Sequence, residues 1–295
     1  MILKIIIINK MKILFYGHKG WIGQMIISQW VNTFPNDTII LSSTKVTYEN
    51  YSTLESEISE VDRVICTVGR TSGDSIPNID YLEDHLFENM RDNLSAPILL
   101  ANICKSKNVH MTYMGTGCIF SSNTRVYDKI FTEDDVPNFF GSSYSIVKGF
   151  TDNLLKTYAN VLNLRIRMPI TNSEHPKDFI TKILKFSKLC SYPNSMTFLP
   201  SIIPCIVDMS RKNITGTYNM TNAGSISHEE IIDLYKSLIN SNHNCEFIEQ
   251  DELKNILKCQ RSNNILDQTK LQKLYPDLPD IKSCVKEALK YHTNF

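Results

Sequence analysis

The segment FYGHKGWIG sets Gly17, Gly20 and Gly23 three residues apart, directly after the apolar run Lys12–Tyr16 and directly before the apolar stretch Trp21–Val31. Glycines at this spacing permit a tight turn between a buried strand and a helix. They also let the backbone close on a pyrophosphate, with the N–H groups and the positive end of the helix facing the anion. A turn of this kind in the first strand–turn–helix of a chain points to dinucleotide binding rather than to a purely structural bend. Lys19, Trp21 and Ile22 share the turn and are candidates for the same contacts.

The rest of the chain keeps the rhythm. A strand at Thr38–Ser43, a helix at Thr53–Val61 and a strand at Asp62–Gly69 follow. Then come a long helical segment at Tyr81–Lys107, a strand at His110–Phe120, a polar loop to Phe140, a helix after Ser142 and a strand at Val161–Ile170. This alternation predicts an α/β fold, a doubly wound parallel sheet with helices on both faces and ligands at the C-terminal ends of the strands. Beyond Pro169 the pattern is irregular. A helix is expected over His175–Leu189, opened by Pro176 and Asp178. A strand is expected at Gly216–Asn222, and a helix at Ser225–Ile239 with Ser227 and Glu230 at capping-box spacing. Residues 11–170 are therefore expected to form the dinucleotide-binding domain. Residues 171–295 are expected to form a smaller substrate-binding lobe, with segments such as Gly216–Asn222 returning to the main sheet. The apolar run Ile5–Ile8 is too short to span a bilayer and has no small-residue cleavage site, so residues 1–10 are expected to be a leader outside the fold.

A carboxylate at the end of the second strand would hold the ribose hydroxyl of NAD. Asp37 precedes that strand and so lies at its wrong end. Ser42, Ser43, Thr44 and Lys45 follow it instead. Hydroxyls and a cation there, with Lys19 in the glycine turn, suit a 2′-phosphate and predict NADPH/NADP. The competing reading of Lys45 is a solvated loop lysine.

With 31 basic and 31 acidic residues the formal net charge is +0, and no basic stripe appears, which argues against nucleic acid as a partner. The eight cysteines show no C-x-x-C pair and the chain has no H-E-x-x-H, so no metal site is expected. Scattered thiols read as reduced cysteines of a cytoplasmic protein.

Tyr144 and Lys148 lie four apart in YSIVK, on one face of a helix expected to flank the crevice. With thirteen tyrosines in the chain, one chance occurrence of the pattern is unsurprising, and its context matters more. A free tyrosine titrates near 10, and a neighbouring ammonium favours the phenolate. Tyr144 can then pass a proton to a carbonyl oxygen that Thr116 also holds. Cys118, two residues beyond Thr116 on the expected strand, points to the same side. From the residues alone it is either a small buried hydrophobe or a chemical group.

Gly17-Gly20-Gly23, Val68-Gly69, Asn93, Thr116, Tyr144 and Lys148, in that order, resemble the extended short-chain dehydrogenase/reductases. The likeness implies a Rossmann-type sheet binding NADP or NAD through Val68, Gly69 and Asn93 as well as the glycine turn, with a nucleotide-sugar in the C-terminal lobe. YGHKGWIG, TGCIF, PNFFGSSYS, LRIRMPI, FITKI, PNSMT and RSNN narrow it further. From about Met11 to the C-terminus the chain is similar to the bifunctional UDP-4-keto-6-deoxy-D-glucose 3,5-epimerase/4-reductases, which complete UDP-L-rhamnose synthesis. That resemblance implies an epimerase acid/base pair of Cys118 and Lys182. It implies sugar-nucleotide contacts from Asn138, Arg167, Asn194, Arg261 and Asn263, with Arg261 on the diphosphate, and a homodimer formed through the Tyr144 helix and its neighbour. The loop TSGDSIPN and the strand end LSSTK depart from the family pattern. The rival functions are a reductase that needs a separate epimerase and a catalytically silent NADP-binding subunit.

Overall fold

The structure is a computed structural model that describes residues 10–73, 76–122, 129–253 and 255–293. Residues 1–9 of the expected leader lie outside the described residues, as do Asp74 and Ser75 of the TSGDSIPN loop.

Six parallel strands form the central sheet, in the order Gly216–Asn219, Val161–Ile166, His110–Thr116, Arg63–Cys66, Lys12–Tyr16 and Thr38–Leu41. Apart from the edge strand Thr38–Leu41, whose residues are half-buried or exposed, the strands are largely buried on both faces, and period-two alternation sorts their side chains. Leu14, Tyr16, Val64, Cys66, Met111 and Tyr113 pack on one face with the helices Tyr51–Ser59 and Ala96–Ser106. Ile13, Phe15, Ile65, Leu162 and Leu164 pack on the other with Trp21–Thr33 and Leu199–Arg211. Each fully buried Ile, Leu or Phe contributes about 2 kcal/mol of burial. The strand order reverses between Lys12–Tyr16 and Arg63–Cys66. The crevice of this fold class opens at the C-terminal ends of those strands, where the glycine turn leaves Tyr16.

Beyond the sheet, Ile180, Ile183, Ile231, Tyr235 and Val285 build a second core. The chain does not stay there once it has left the sheet. Leu199–Arg211 covers a sheet face and Gly216–Asn219 pairs with Val161–Ile166, as the sequence leads one to expect of the latter. The capping box of Ser227 and Glu230 opens the helix His228–Leu238. Among the described residues, no helix is long and apolar enough to cross a membrane.

Three local expectations are corrected. The strand expected over His110–Phe120 stops at Thr116, because the Thr116 hydroxyl accepts the Cys118 N–H at 3.1 Å and turns the chain. The helix expected over His175–Leu189 is confined to Phe179–Ile183. Lys185 to Lys188 are all exposed, and Lys188–Leu189 takes its backbone partners from Glu246–Phe247 as a short strand. The long helical segment breaks at His85, where ψ is 50°, and passes through a wide turn at Arg91–Ser95 before Ala96–Ser106.

Candidate active site

Gly17 sits at φ +83°, and a Cβ there would lie 2.7 Å from the Thr67 carbonyl carbon. A Cβ on Gly23 would lie 2.8 Å from the Gly17 carbonyl oxygen. Both glycines are required by close backbone approach. Gly20 caps the helix Trp21–Thr33 without any side-chain bond, so no side chain competes for the first N–H groups. This cradle fits the pyrophosphate of a dinucleotide.

A cavity of about 890 Å³ runs from this turn to the helix Phe179–Ile183. Gly20, Trp21, Ile22, Gly23, Val68, Gly69 and Asn93 line its nucleotide side. Asn93 has a structural duty as well. Its amide accepts from Arg70 N at 3.0 Å and donates to Arg70 O at 2.8 Å, which pins the turn after the third strand. Lys19, Ser43 and Lys45 are exposed and stand outside the cavity wall. The hydroxyls of Tyr16, Ser42 and Thr44 all donate to Glu57, at 2.6 to 2.9 Å. Two of the hydroxyls read from the sequence as anion ligands are thus bound to a carboxylate that the sequence reading did not single out. Asp37 bonds Met11 N, Trp30 and Arg211, a structural role at the far end of its strand.

Deeper in the cavity stand Thr116, Cys118, Tyr144, Lys148 and Lys182. Ser142 accepts from Ser145 N and starts the helix Ser143–Leu155, which carries Tyr144 and Lys148 into the interior. Burial, and then the nearby Cys118 sulfur, push the Tyr144 hydroxyl well above its ordinary range, against a hydrogen bond with Thr116 that pulls it down. Burial also pushes Lys148 down to about 8. The sequence reading had the Lys148 ammonium tuning Tyr144. Here it donates instead to the Tyr113 hydroxyl and to Met114 O at 3.4 Å, with the Tyr113 ring 4.6 Å below it. Tyr113 was missed because it reads as one more buried strand residue.

Cys118 lies on the turn after Thr116, with Arg167 Nη1 3.6 Å from its sulfur. Lys182 sits on Phe179–Ile183, capped by Asp178, whose carboxylate accepts from Thr181 N. Burial, and next the Lys177 ammonium, pull Lys182 below the usual lysine range, against Asp178. Met168, between the strand Val161–Ile166 and the short strand Pro169–Ile170, holds a φ of +40° where it lines the cavity, a conformation that L-residues rarely adopt.

The expected sugar-nucleotide residues divide. Arg167, Arg261 and Asn263 line the cavity. Arg261 donates to Asp80 at 2.9 Å, so its guanidinium already faces a carboxylate at the position assigned to a diphosphate. Asn194 is fully buried, bonded to Arg167 and Asn263. Asn138 is exposed and bonds Ser121 at 2.9 and 3.1 Å, in a separate small cleft.

No family model matches the chain. It is 48% identical over 286 residues to protein L780 of Acanthamoeba polyphaga mimivirus, covering 95% of this chain and 98% of that protein. The crystal structure of L780, described as a UDP-rhamnose synthase, superposes with a TM-score of 0.89 at 47% identity over 95% of this chain and 99% of that one. The bifunctional dTDP-4-dehydrorhamnose 3,5-epimerase/dTDP-4-dehydrorhamnose reductase of Arabidopsis thaliana is 36% identical over 273 residues, 91% of this chain and 89% of its own length. The dTDP-4-dehydrorhamnose reductase of Bacillus anthracis, solved with NADP, shares the fold. Its TM-score is 0.76 at 14% identity, over 96% of this chain and 98% of its own. The chain therefore belongs to the bifunctional 4-dehydrorhamnose 3,5-epimerase/reductase family.

Proposed function

We propose that this chain converts UDP-4-keto-6-deoxy-D-glucose to UDP-L-rhamnose, inverting carbons 3 and 5 and then reducing carbon 4 with NADPH. One observation carries the proposal: a second pair of proton-transfer groups, Cys118 and Lys182, opens into the same cavity as Thr116, Tyr144 and Lys148. A reductase alone needs only the latter three. The similarity to L780 and to the Arabidopsis bifunctional enzyme supports the same pairing of activities.

The 4-keto group acidifies the hydrogens on its neighbouring carbons. One member of the Cys118/Lys182 pair takes such a proton, and the C–H electrons move into an enolate. The other member returns a proton to the opposite face, and solvent exchange resets the pair. Thr116 and Tyr144 hydrogen-bond the oxygen at carbon 4, so one oxyanion site serves both reactions. Tyr144, held above its ordinary range by burial, keeps its proton at neutral pH and can deliver it to that oxygen. Gly17, Gly20 and Gly23, with Val68 and Gly69, would hold the dinucleotide, whose nicotinamide supplies the hydride when bound. Lys19, Ser43 and Lys45, exposed on the turns after the first two strands, favour a 2′-phosphate and hence NADPH.

Residues 11–170 are read as the dinucleotide-binding domain and 171–295 as the substrate-binding lobe, part of which returns to the sheet. A homodimer is supported by an apolar stripe. The helices Leu86–Met90 and Ser143–Leu155 pack together, and expose Phe87 (78%), Phe150 (58%), Leu86, Met90 and Leu154 on their outer side. The eight cysteines are read as reduced thiols of a cytoplasmic protein.

Incubation with UDP-4-keto-6-deoxyglucose and NADPH, with no other enzyme, tests the proposal. UDP-L-rhamnose is the expected product, and a requirement for a separate epimerase would refute it. In heavy water Tyr144→Phe should still exchange hydrogens at carbons 3 and 5, more slowly because Thr116 alone holds the enolate oxygen, but fail to oxidise NADPH. Cys118→Ala should lose the exchange.

A further inference from the structure

The turn that carries Cys118 is gripped by a buried polar network from three distant segments. Asn264 Nδ2 donates to Gly117 O at 3.0 Å and to Phe120 O at 2.8 Å, the carbonyls on either side of the cysteine. The Ser262 hydroxyl donates to Phe120 O at 2.5 Å. Arg167 joins these to the sulfur. Its Nη1 donates to Ser262 Oγ at 3.0 Å, lies 3.4 Å from Gly117 O and 3.6 Å from Cys118 Sγ. Its Nη2 donates to Ser262 O at 2.6 Å and to Asn194 Oδ1. Arg167 is 1% exposed, and Asn194 and Asn264 are fully buried. These contacts commit both terminal nitrogens of the guanidinium to an amide, a hydroxyl, carbonyls and a thiol of the protein itself. A sugar-contact role, expected from the sequence, would need those N–H groups turned to the cavity.

We infer that Arg167 is a positioning residue for epimerisation: it aims the Cys118 sulfur at the sugar and sets a permanent cation beside it. The guanidinium keeps its protons throughout, so it orders the proton shuttle without joining it. Its fork spans Ser262, Asn194 and Cys118 together, which a lysine ammonium on a flexible stem does not reproduce. The reductase residues have backbone anchors of their own: Thr116 ends a strand of the sheet, although its hydroxyl meets the Cys118 N–H, and Tyr144 and Lys148 are on the helix Ser143–Leu155. Loss of Arg167 should therefore separate the two half-reactions.

This inference rests on the epimerase/reductase reading, and one experiment distinguishes them. Deuterium uptake at carbons 3 and 5 of UDP-4-keto-6-deoxyglucose is measured beside NADPH oxidation with the already epimerised 4-keto-L-rhamnose nucleotide. Arg167→Lys should lower uptake by at least about tenfold, the scale of one hydrogen bond to a charged group, while reduction falls by less than about threefold. A parallel fall of both with a raised KM would mean that Arg167 holds the sugar, and unchanged uptake would mean that it does not position the thiol. Either overturns the inference. Should Arg167→Lys misfold, Ser262→Ala decides, since it removes one hydroxyl from the network. Selective loss of uptake supports the inference, and equal loss of both activities overturns it. A wild-type protein that reduces the epimerised sugar yet exchanges nothing would overturn the epimerase reading itself, and the inference with it.

Discussion

Replacing Tyr113 with phenylalanine removes one oxygen and leaves the ring under Lys148. Burial holds the Tyr113 hydroxyl far above its ordinary range, so it is a neutral acceptor for the Lys148 ammonium. An acceptor stabilises the charged form of lysine. Its loss must therefore lower the Lys148 pKa, already pushed down to about 8 by burial. A hydrogen bond to a charged group contributes about 2 kcal/mol, and one pKa unit corresponds to about 1.4 kcal/mol, so the shift should be about one to two units. Lys148 would then be largely neutral at pH 7.5. The assay is the pH dependence of kcat/KM for NADPH oxidation with the epimerised sugar. The alkaline limb should move to lower pH by that amount, with activity recovered under mildly acidic conditions. Solvent exchange at carbons 3 and 5, which relies on Cys118 and Lys182, should keep its own profile. An alkaline limb that stays in place, or a loss of activity equal at every pH, would refute the role given to Tyr113.

Two other perturbations probe separate parts of the molecule. Both ring nitrogens of the fully buried His292 face acceptors, Ala288 O at 2.8 Å and Asp178 at 3.0 Å. Burial, the largest single influence, lowers its pKa, but the hydrogen bonds to Asp178 and Ala288 and the charges of Asp178 and Glu174 together outweigh it and raise it. A raised pKa gives stability that is full below the unfolded value, near 6.5, and lost as pH rises through the folded one. Denaturant titrations should show His292→Gln costing about 3 kcal/mol at pH 5.5 and less at pH 9. Lys45→Glu should raise the KM for NADPH by about tenfold and leave that for NADH nearly unchanged, since a charge-assisted phosphate contact is lost in only one case.

Much of the fold was legible because its signals are local. The continuous apolar run Ile13–Tyr16, the glycine spacing and the Ser227/Glu230 cap all act within a few residues, and each appears where the sequence puts it. The misjudged elements are those in which a distant partner competes with local propensity. FITKILKFSKL has a helical pattern, yet Glu246–Phe247 takes its end as a strand. HMTYMGTGCIF reads as one strand, yet a single threonine hydroxyl bends it after Thr116.

The sequence settled the parallel sheet and the glycine turn, and it singled out the side chains proposed for proton transfer: Thr116, Tyr144 and Lys148 from their pattern, Cys118 and Lys182 only through the family resemblance. Tertiary structure alone decided how those side chains are held. Lys148 meets Tyr113 across 35 residues, Cys118 meets Arg167 across 49, and Asn264 grips Gly117 across 147. No helical or strand period spans such distances. A hydrogen bond depends on positions a few ångströms apart in space, and those are set by how helices and loops from distant parts of the chain pack against the sheet.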